Sequence, residues 1–145
     1  MNPLKSPAAL ALVLVSILPL KAKQVIFSEI MYNPTGSLPE YIEVQNLTAT
    51  PLDFAKWKFT NGVDYEFPGF SAAASQHMFL HAFQRILVTS VDEATLRAAY
   101  PGIPGSVKIF GPWIGALNNG GERVTLKDKN GVIVSSVNYG NDGHW

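Results

Sequence analysis

Residues 25–46, VIFSEIMYNPTGSLPEYIEVQN, place two apolar-rich runs on either side of a stretch of turn formers. In EYIEVQN (40–46), Ile42 and Val44 share one face while Tyr41, Glu43 and Gln45 share the other. That period of two is the signature of a half-buried β-strand. VIFSEIM (25–31) has apolar residues on both faces, which predicts a strand buried between layers. NPTGSLP between them is turn chemistry. The same stretch also gathers Glu29, Glu40 and Glu43 in a chain that is only 15% charged. Carboxylates clustered in this way serve as a catalytic pair, as a metal cradle, or as polar fittings of a scaffold.

Outward from this point the pattern of short strands and turns continues. LDFAKWKFT (52–60) is apolar at Leu52, Phe54, Trp57 and Phe59, and the odd step from Phe54 to Trp57 predicts a bulge near Ala55–Lys56. Asn61–Gly62 turns the chain into VDYEF, which Pro68–Gly69 closes. HMFLHAF (77–83) and RILVTS (85–90) read as further strands. SVDEATLRAAY (90–100) reads as one short helix, with Ser90 and Glu93 as an S-x-x-E capping box, Asp92 in the first turn and Pro101–Gly102 as the stop. ERVTLKDKNGVIVSSVNY (122–139) is two strands joined through Asn130–Gly131, a dipeptide that favours a type I′ hairpin turn. Many short strands with one helix define an all-β sandwich.

The N-terminus is a different kind of segment. Lys5 and the free amine precede an apolar region thirteen residues long, Ala8 to Leu20. A bilayer span needs about 20 such residues, so residues 1–23 are expected to be a signal peptide, with an uncleaved anchor as the alternative and 24–145 as the single following domain. The expected location is secreted or cell-surface, with membrane contact only through the signal segment if it is uncleaved. The absence of cysteine excludes disulfides, thiolate metal sites and cysteine nucleophiles. From Gln24 onward, 8 basic residues face 11 acidic ones, a net charge of −3. A negative surface argues against nucleic acid as a partner.

Each candidate chemistry has a plainer counterpart. Glu29 shares a formal strand face with Val25, Phe27 and Met31 and is expected to be partly buried, so it needs donors or a cation, with Arg85 and Arg123 both available. A hydrolase would use Glu29 or Glu43 in a cleft with a defined carboxyl separation; structural anchoring is the favoured reading. His77 and His81 lie four residues apart on an expected strand, about 13 Å, too far for one ion, and His144 is remote in sequence. NGVD (61–64), NNGGE (118–122) and NYGNDG (138–143) offer oxygen ligands, which keeps calcium-dependent adhesion as an alternative. These stretches lack the carboxylate density of a calcium loop, and turn chemistry explains them. No nucleophile elbow, phosphate loop or H-E-x-x-H motif is present. Asn46-Leu47-Thr48 fits a glycosylation sequon. Trp57, Phe59, Tyr65, Phe67, Phe70, Phe79 and Phe83 are expected in the core, and Trp113 and Trp145 are the better candidates for exposed contacts, although packing is favoured for them too.

In order and spacing, SEIMYNP, EYIEVQN, PLDFAKWKFTNG, YEFP, GALNNGGERVTLKDKNGVIVSSVNY and the terminal Trp resemble the lamin-tail domain, the immunoglobulin-like module of nuclear lamins and of many exported bacterial proteins. The resemblance covers Val25 to Trp145, and the signal segment points to the exported type. Ser28 stands where the family usually has Asn, Lys56 where it usually has Gly, and 70–111 elaborates on the minimal sandwich. The resemblance implies a non-catalytic binding or tethering module with no cofactor. The chain is accordingly expected to be the N-terminal part of a larger secreted or surface protein and to engage a protein or cell-envelope partner. The motif residues it marks are Glu29, Asn33, Pro34, Glu43, Trp57, Gly121, Glu122 and Tyr139, all with structural roles.

Overall fold

The computed structural model describes residues 23–69 and 78–141. Residues 1–22 of the expected signal segment, Phe70, His77, His144 and Trp145 lie outside the described residues. One four-stranded sheet runs in the order β1 (Val25–Met31), β2 (Tyr41–Asn46), β7 (Arg85–Thr89), β8 (Lys108–Phe110). The other runs β10 (Ile133–Gly140), β9 (Gly121–Lys127), β4 (Lys58–Asn61), β5 (Tyr65–Glu66). A ribbon of β3 (Leu52–Asp53) and β6 (Phe79–Leu80) adds a third pairing. Ile42, Val44, Ile86 and Val88 of the first sheet and Phe59, Val124 and Leu126 of the second belong to one buried core, the geometry of an immunoglobulin-like β-sandwich.

The alternation read in β2 is realised. Ile42, Val44 and Asn46 point inward, and Tyr41, Glu43 and Gln45 point outward. β1 departs from expectation twice. It is an edge strand rather than an inner one, and its register slips between Phe27 and Glu29. Phe27 lies opposite Val44, Glu29 opposite Glu43, and Ile30 opposite Ile42. The extra residue flips the phase, so Val25, Phe27 and Ile30 all face the core while Glu29 is exposed. The expected partial burial of Glu29 is therefore corrected.

Between Phe54 and Trp57 the chain makes a tight turn rather than a strand bulge. The Trp57 amide donates to the Phe54 carbonyl at 3.1 Å, and the chain crosses from the β3–β6 ribbon to β4. Lys56 adopts φ +62° there, a left-handed conformation that favours Gly. The aromatic core centres on edge-to-face contacts of Phe54 with Phe67 (4.8 Å) and of Phe67 with Phe110 (5.2 Å). Trp57, Phe59 and Trp113 are buried, whereas Phe79 and Phe83 are exposed, contrary to expectation. β6 is only two residues long and sends Leu80 inward, leaving Phe79 outside. Phe83 sits in the following turn at φ +59°.

The helix α1 (Glu93–Ala99) joins β7 to β8, and these two strands pair in parallel. Its cap is Asp92 rather than Ser90: Asp92 Oδ1 accepts from the Thr95 amide at 2.9 Å and Oδ2 from the Thr95 hydroxyl at 2.7 Å. Ser90 is occupied elsewhere, its amide and hydroxyl both directed to the Glu40 carbonyl. Leu96 packs with Leu87 and Ile109 in a second, smaller core on the outer face of the first sheet. β7 is thus buried on both faces. The β9–β10 connection is a wider loop than a type I′ turn: the Gly131 amide donates to the Asp128 carbonyl, and only Gly131 has positive φ (+82°). Asp128 Oδ1 holds this loop by accepting from the Asn130 and Val132 amides.

Asn46 is the most connected polar side chain of the interior. It is fully buried; its Nδ2 lies within 2.8–3.0 Å of the Thr50, Leu80 and His81 carbonyls. Its Oδ1 accepts from the amide and hydroxyl of Thr48, both at 2.8 Å. The sequon is consequently not a glycan acceptor in the folded protein, because its nitrogen is buried and donating. Asn46→Asp sets a carboxylate oxygen against three carbonyls and is expected to cost about 3–5 kcal/mol. Urea unfolding at neutral pH checks this, and a loss below about 1 kcal/mol would contradict the network's role.

Candidate functional site

The residues singled out in the sequence separate into three places. Trp57 lies in the core. Gly121, Glu122 and Tyr139 meet at one end of the sandwich, where Tyr139 lies opposite Glu122 across β9 and β10. The Tyr139 hydroxyl is 3.0 Å from both Glu122 Oε1 and the Asn118 carbonyl, and Glu122 Oε1 also accepts from the Asn118 amide at 2.7 Å. Tyr32 stacks against Tyr139 at 4.7 Å. Gly121, at φ +100°, leaves no room for a side chain: a Cβ would stand 2.5 Å from the Tyr139 carbonyl oxygen. Asn33 is exposed and Pro34 half-buried in the turn after Tyr32.

Glu40, which the motif reading passed over, belongs to this end. Its Oε2 accepts from the Leu117 amide at 3.0 Å, and its own carbonyl accepts from Thr89 Oγ1 at 2.7 Å. One residue thereby clamps the start of β2 to the end of β7 and to the loop before β9. Neither bond could be foreseen from local sequence, since the partners lie 77 and 49 positions away. Burial raises the Glu40 carboxyl above its ordinary value, the Leu117 amide opposes this, and the Glu122 charge adds to it. Burial raises Tyr139, with the Glu122 hydrogen bond and charge adding to the effect.

Glu29 and Glu43 occupy the third place, directly opposite one another on the outer face of the first sheet. Glu43 accepts from the Ser28 hydroxyl at 2.7 Å and has Arg85 at 3.4 Å. Arg85 thus meets Glu43 rather than Glu29, and Arg123 bonds Asn138, so neither arginine is the expected partner of Glu29. Glu29 accepts from the Tyr41 hydroxyl at 2.7 Å. Tyr41 packs edge-on against Tyr100 at 5.3 Å. Burial raises both phenols, and the Glu29 charge raises them further.

These residues line a groove of ≈ 420 Å³. Its other wall is the segment from Ala99 to Val107, held in place by Arg97, which pairs with Glu93 at 2.8 Å and donates to the Pro104 and Val107 carbonyls. His81 is exposed in a turn, and its amide donates to Gln84. Among the described residues no three His, Asp or Glu side chains converge as a metal cluster. Trp113 is packed rather than exposed, which fits the packing reading.

Fold and site together describe an immunoglobulin-like domain whose polar residues mostly tie strands and loops together. The family model of the Lamin Tail Domain matches residues 20–141. The chain belongs to that family, whose members are immunoglobulin-like domains that generally act as non-catalytic protein-interaction modules. Comparison with curated proteins finds no match.

Two measurements check the clamp at the sandwich end. A carboxyl whose folded pKa is raised contributes stability that is fully present below its unfolded value, near 4.5, and is lost as pH rises through the folded value. Glu40→Gln keeps an acceptor for Leu117 and is expected to remove that decline in urea midpoints measured upward from pH 4.5. An unchanged slope would contradict the assignment. Tyr139→Phe removes a buried donor from an anionic acceptor and should cost about 1.5–3 kcal/mol by the same method.

Proposed function

We propose that this chain is an exported, non-catalytic binding module that tethers itself, and whatever it is joined to, to a protein or cell-envelope partner. The observation that carries this reading is how the carboxylates are used. Glu40 and Glu122 hold backbone amides and a tyrosine, and Glu43 holds Ser28 and Arg85. A hydrolytic pair needs one carboxyl kept protonated beside one kept ionised, and both facing a bond to be broken. Here the carboxyl that burial pushes toward protonation, Glu40, is engaged with the Leu117 backbone. Export is supported by Lys5 followed by the apolar run from Ala8 to Leu20, and the −3 charge of the remainder favours a partner other than nucleic acid.

The test has two parts. The native protein is recovered separately from medium, membrane and cytoplasm, and its intact mass is measured. A species near the mass of 24–145, alone or within a larger protein, is expected outside the cytoplasm, and an intact chain confined to the cytoplasm would overturn export. The purified protein is then incubated with chromogenic glycoside and peptide substrates. No product is expected. Glu43→Gln should lower stability by about 0.5–1.5 kcal/mol. Turnover that disappears in Glu29→Gln or Glu43→Gln, with the melting temperature unchanged, would establish an enzyme instead.

A further inference from the structure

The groove beside Glu29 has a composition that the scaffold alone does not require. Two carboxylates stand directly opposite across β1 and β2, an arrangement that destabilises a sheet. Glu43 is partly neutralised by Arg85, whereas Glu29 meets the neutral Tyr41 hydroxyl and, among the described residues, no cation. Among the described residues no basic side chain lines the groove. Leu87 lies beside Glu43 in the same sheet, and the other wall presents Ile103, Pro104 and Val107, with Tyr100 between the two. One wall is anionic, the other apolar, and the volume falls within the range of about 300–1,000 Å³ that suits small ligands and peptide anchors.

We infer that this groove is a docking site for a partner segment carrying an arginine beside aliphatic residues. The inference rests on the binding-module reading above and names the partner chemistry of that module. Charge complementarity selects a cation, since burying a cation against Glu29 and Glu43 relieves their mutual repulsion. The apolar wall selects one with a hydrocarbon body: an arginine stem lies along Ile103 and Val107 while its planar fork reaches carboxylate oxygens, and its face can stack on a tyrosine. A calcium ion, by contrast, takes 6–8 oxygen ligands and gains nothing from Leu87, Ile103 and Val107. The wall is held ready by the bonds from Arg97 to the Pro104 and Val107 carbonyls, so little ordering is needed on binding.

The probe is the peptide acetyl-Gly-Leu-Arg-Leu-Gly-amide, titrated into the isotope-labelled mature chain and followed by amide NMR shifts. Saturable shifts at Glu29, Tyr41, Tyr100 and Ile103 are expected, with an affinity that weakens as salt rises. Replacing the arginine by neutral citrulline, or Glu29 by Gln, should weaken binding roughly tenfold. Glu29 is exposed, so Glu29→Gln is expected to leave the fold intact, which its unperturbed shifts elsewhere would verify. No shifts up to about 5 mM peptide, equal binding of the citrulline peptide, or shifts confined to another face would overturn the assignment. Calcium alone moving the same amides and displacing the peptide would overturn it in favour of an ion site. Failure here, in a protein that is exported and turns nothing over, defeats only the groove; cleavage of the peptide defeats the binding-module reading itself.

Discussion

A single extra residue in β1 decides which side of the first sheet each of its side chains occupies. Without the slip between Phe27 and Glu29, strict alternation would put Val25, Phe27, Glu29 and Met31 on the core face and leave Ile30 outside. A carboxylate would then face Val44, Phe59 and their neighbours with no cation to meet it, at a cost of several kcal/mol. The bulge instead delivers Ile30 to Ile42 and turns Glu29 out beside Glu43. Bulges favour sheet edges, where the unpaired side of the strand can bend freely, and β1 is such an edge. Core sealing and the anionic wall of the groove are therefore consequences of one local feature.

The other wall depends on β7 being buried on both faces. Ile86 and Val88 enter the main core, and Leu87 faces outward to Leu96 and Ile109. A seven-residue helix has little intrinsic stability. It persists because Leu96 is buried, because Asp92 and Thr95 close its first turn, and because Arg97 grips the following loop. The insertion between β7 and β8 thereby becomes a rigid shelf over the outer face of the sheet. Helix, loop and groove share this one origin.

Short-range features were legible in the sequence, and long-range ones were not. The alternation of β2, the helix with its Pro101–Gly102 stop and the β9–β10 hairpin depend on neighbours a few residues away. The bulge in β1 was not legible, because a register slip exists only relative to a partner strand. Ser90 satisfied the capping-box pattern, yet the Glu40 carbonyl takes its hydrogen bonds, and the cap passes to Asp92. The odd step at Ala55–Lys56 was correctly seen as irregular, but whether it meant a bulge or a sheet crossing depended on where Trp57 would pack. Asn46 looked like a modification site because a sequon is three residues long, while the Leu80 and His81 carbonyls that help bury it lie 34 and 35 residues away.

The clustered carboxylates of residues 29–43 have two separate roles. Glu40 faces the sandwich end, where raising its proton affinity is tolerable because a backbone amide compensates part of the burial. Glu43 is drawn between Ser28 and Arg85, so its charge is partly answered within the sheet. Glu29 differs from both: a tyrosine hydroxyl can stabilise a carboxylate but cannot neutralise it. Among the described residues Glu29 has no ion pair to lose, and neutralising it would remove a cross-strand repulsion, so the Tyr41 hydrogen bond is the fold's own use of this charge. What remains to explain that charge is the groove it faces, whose apolar wall suits a ligand with a cationic head and a hydrocarbon body.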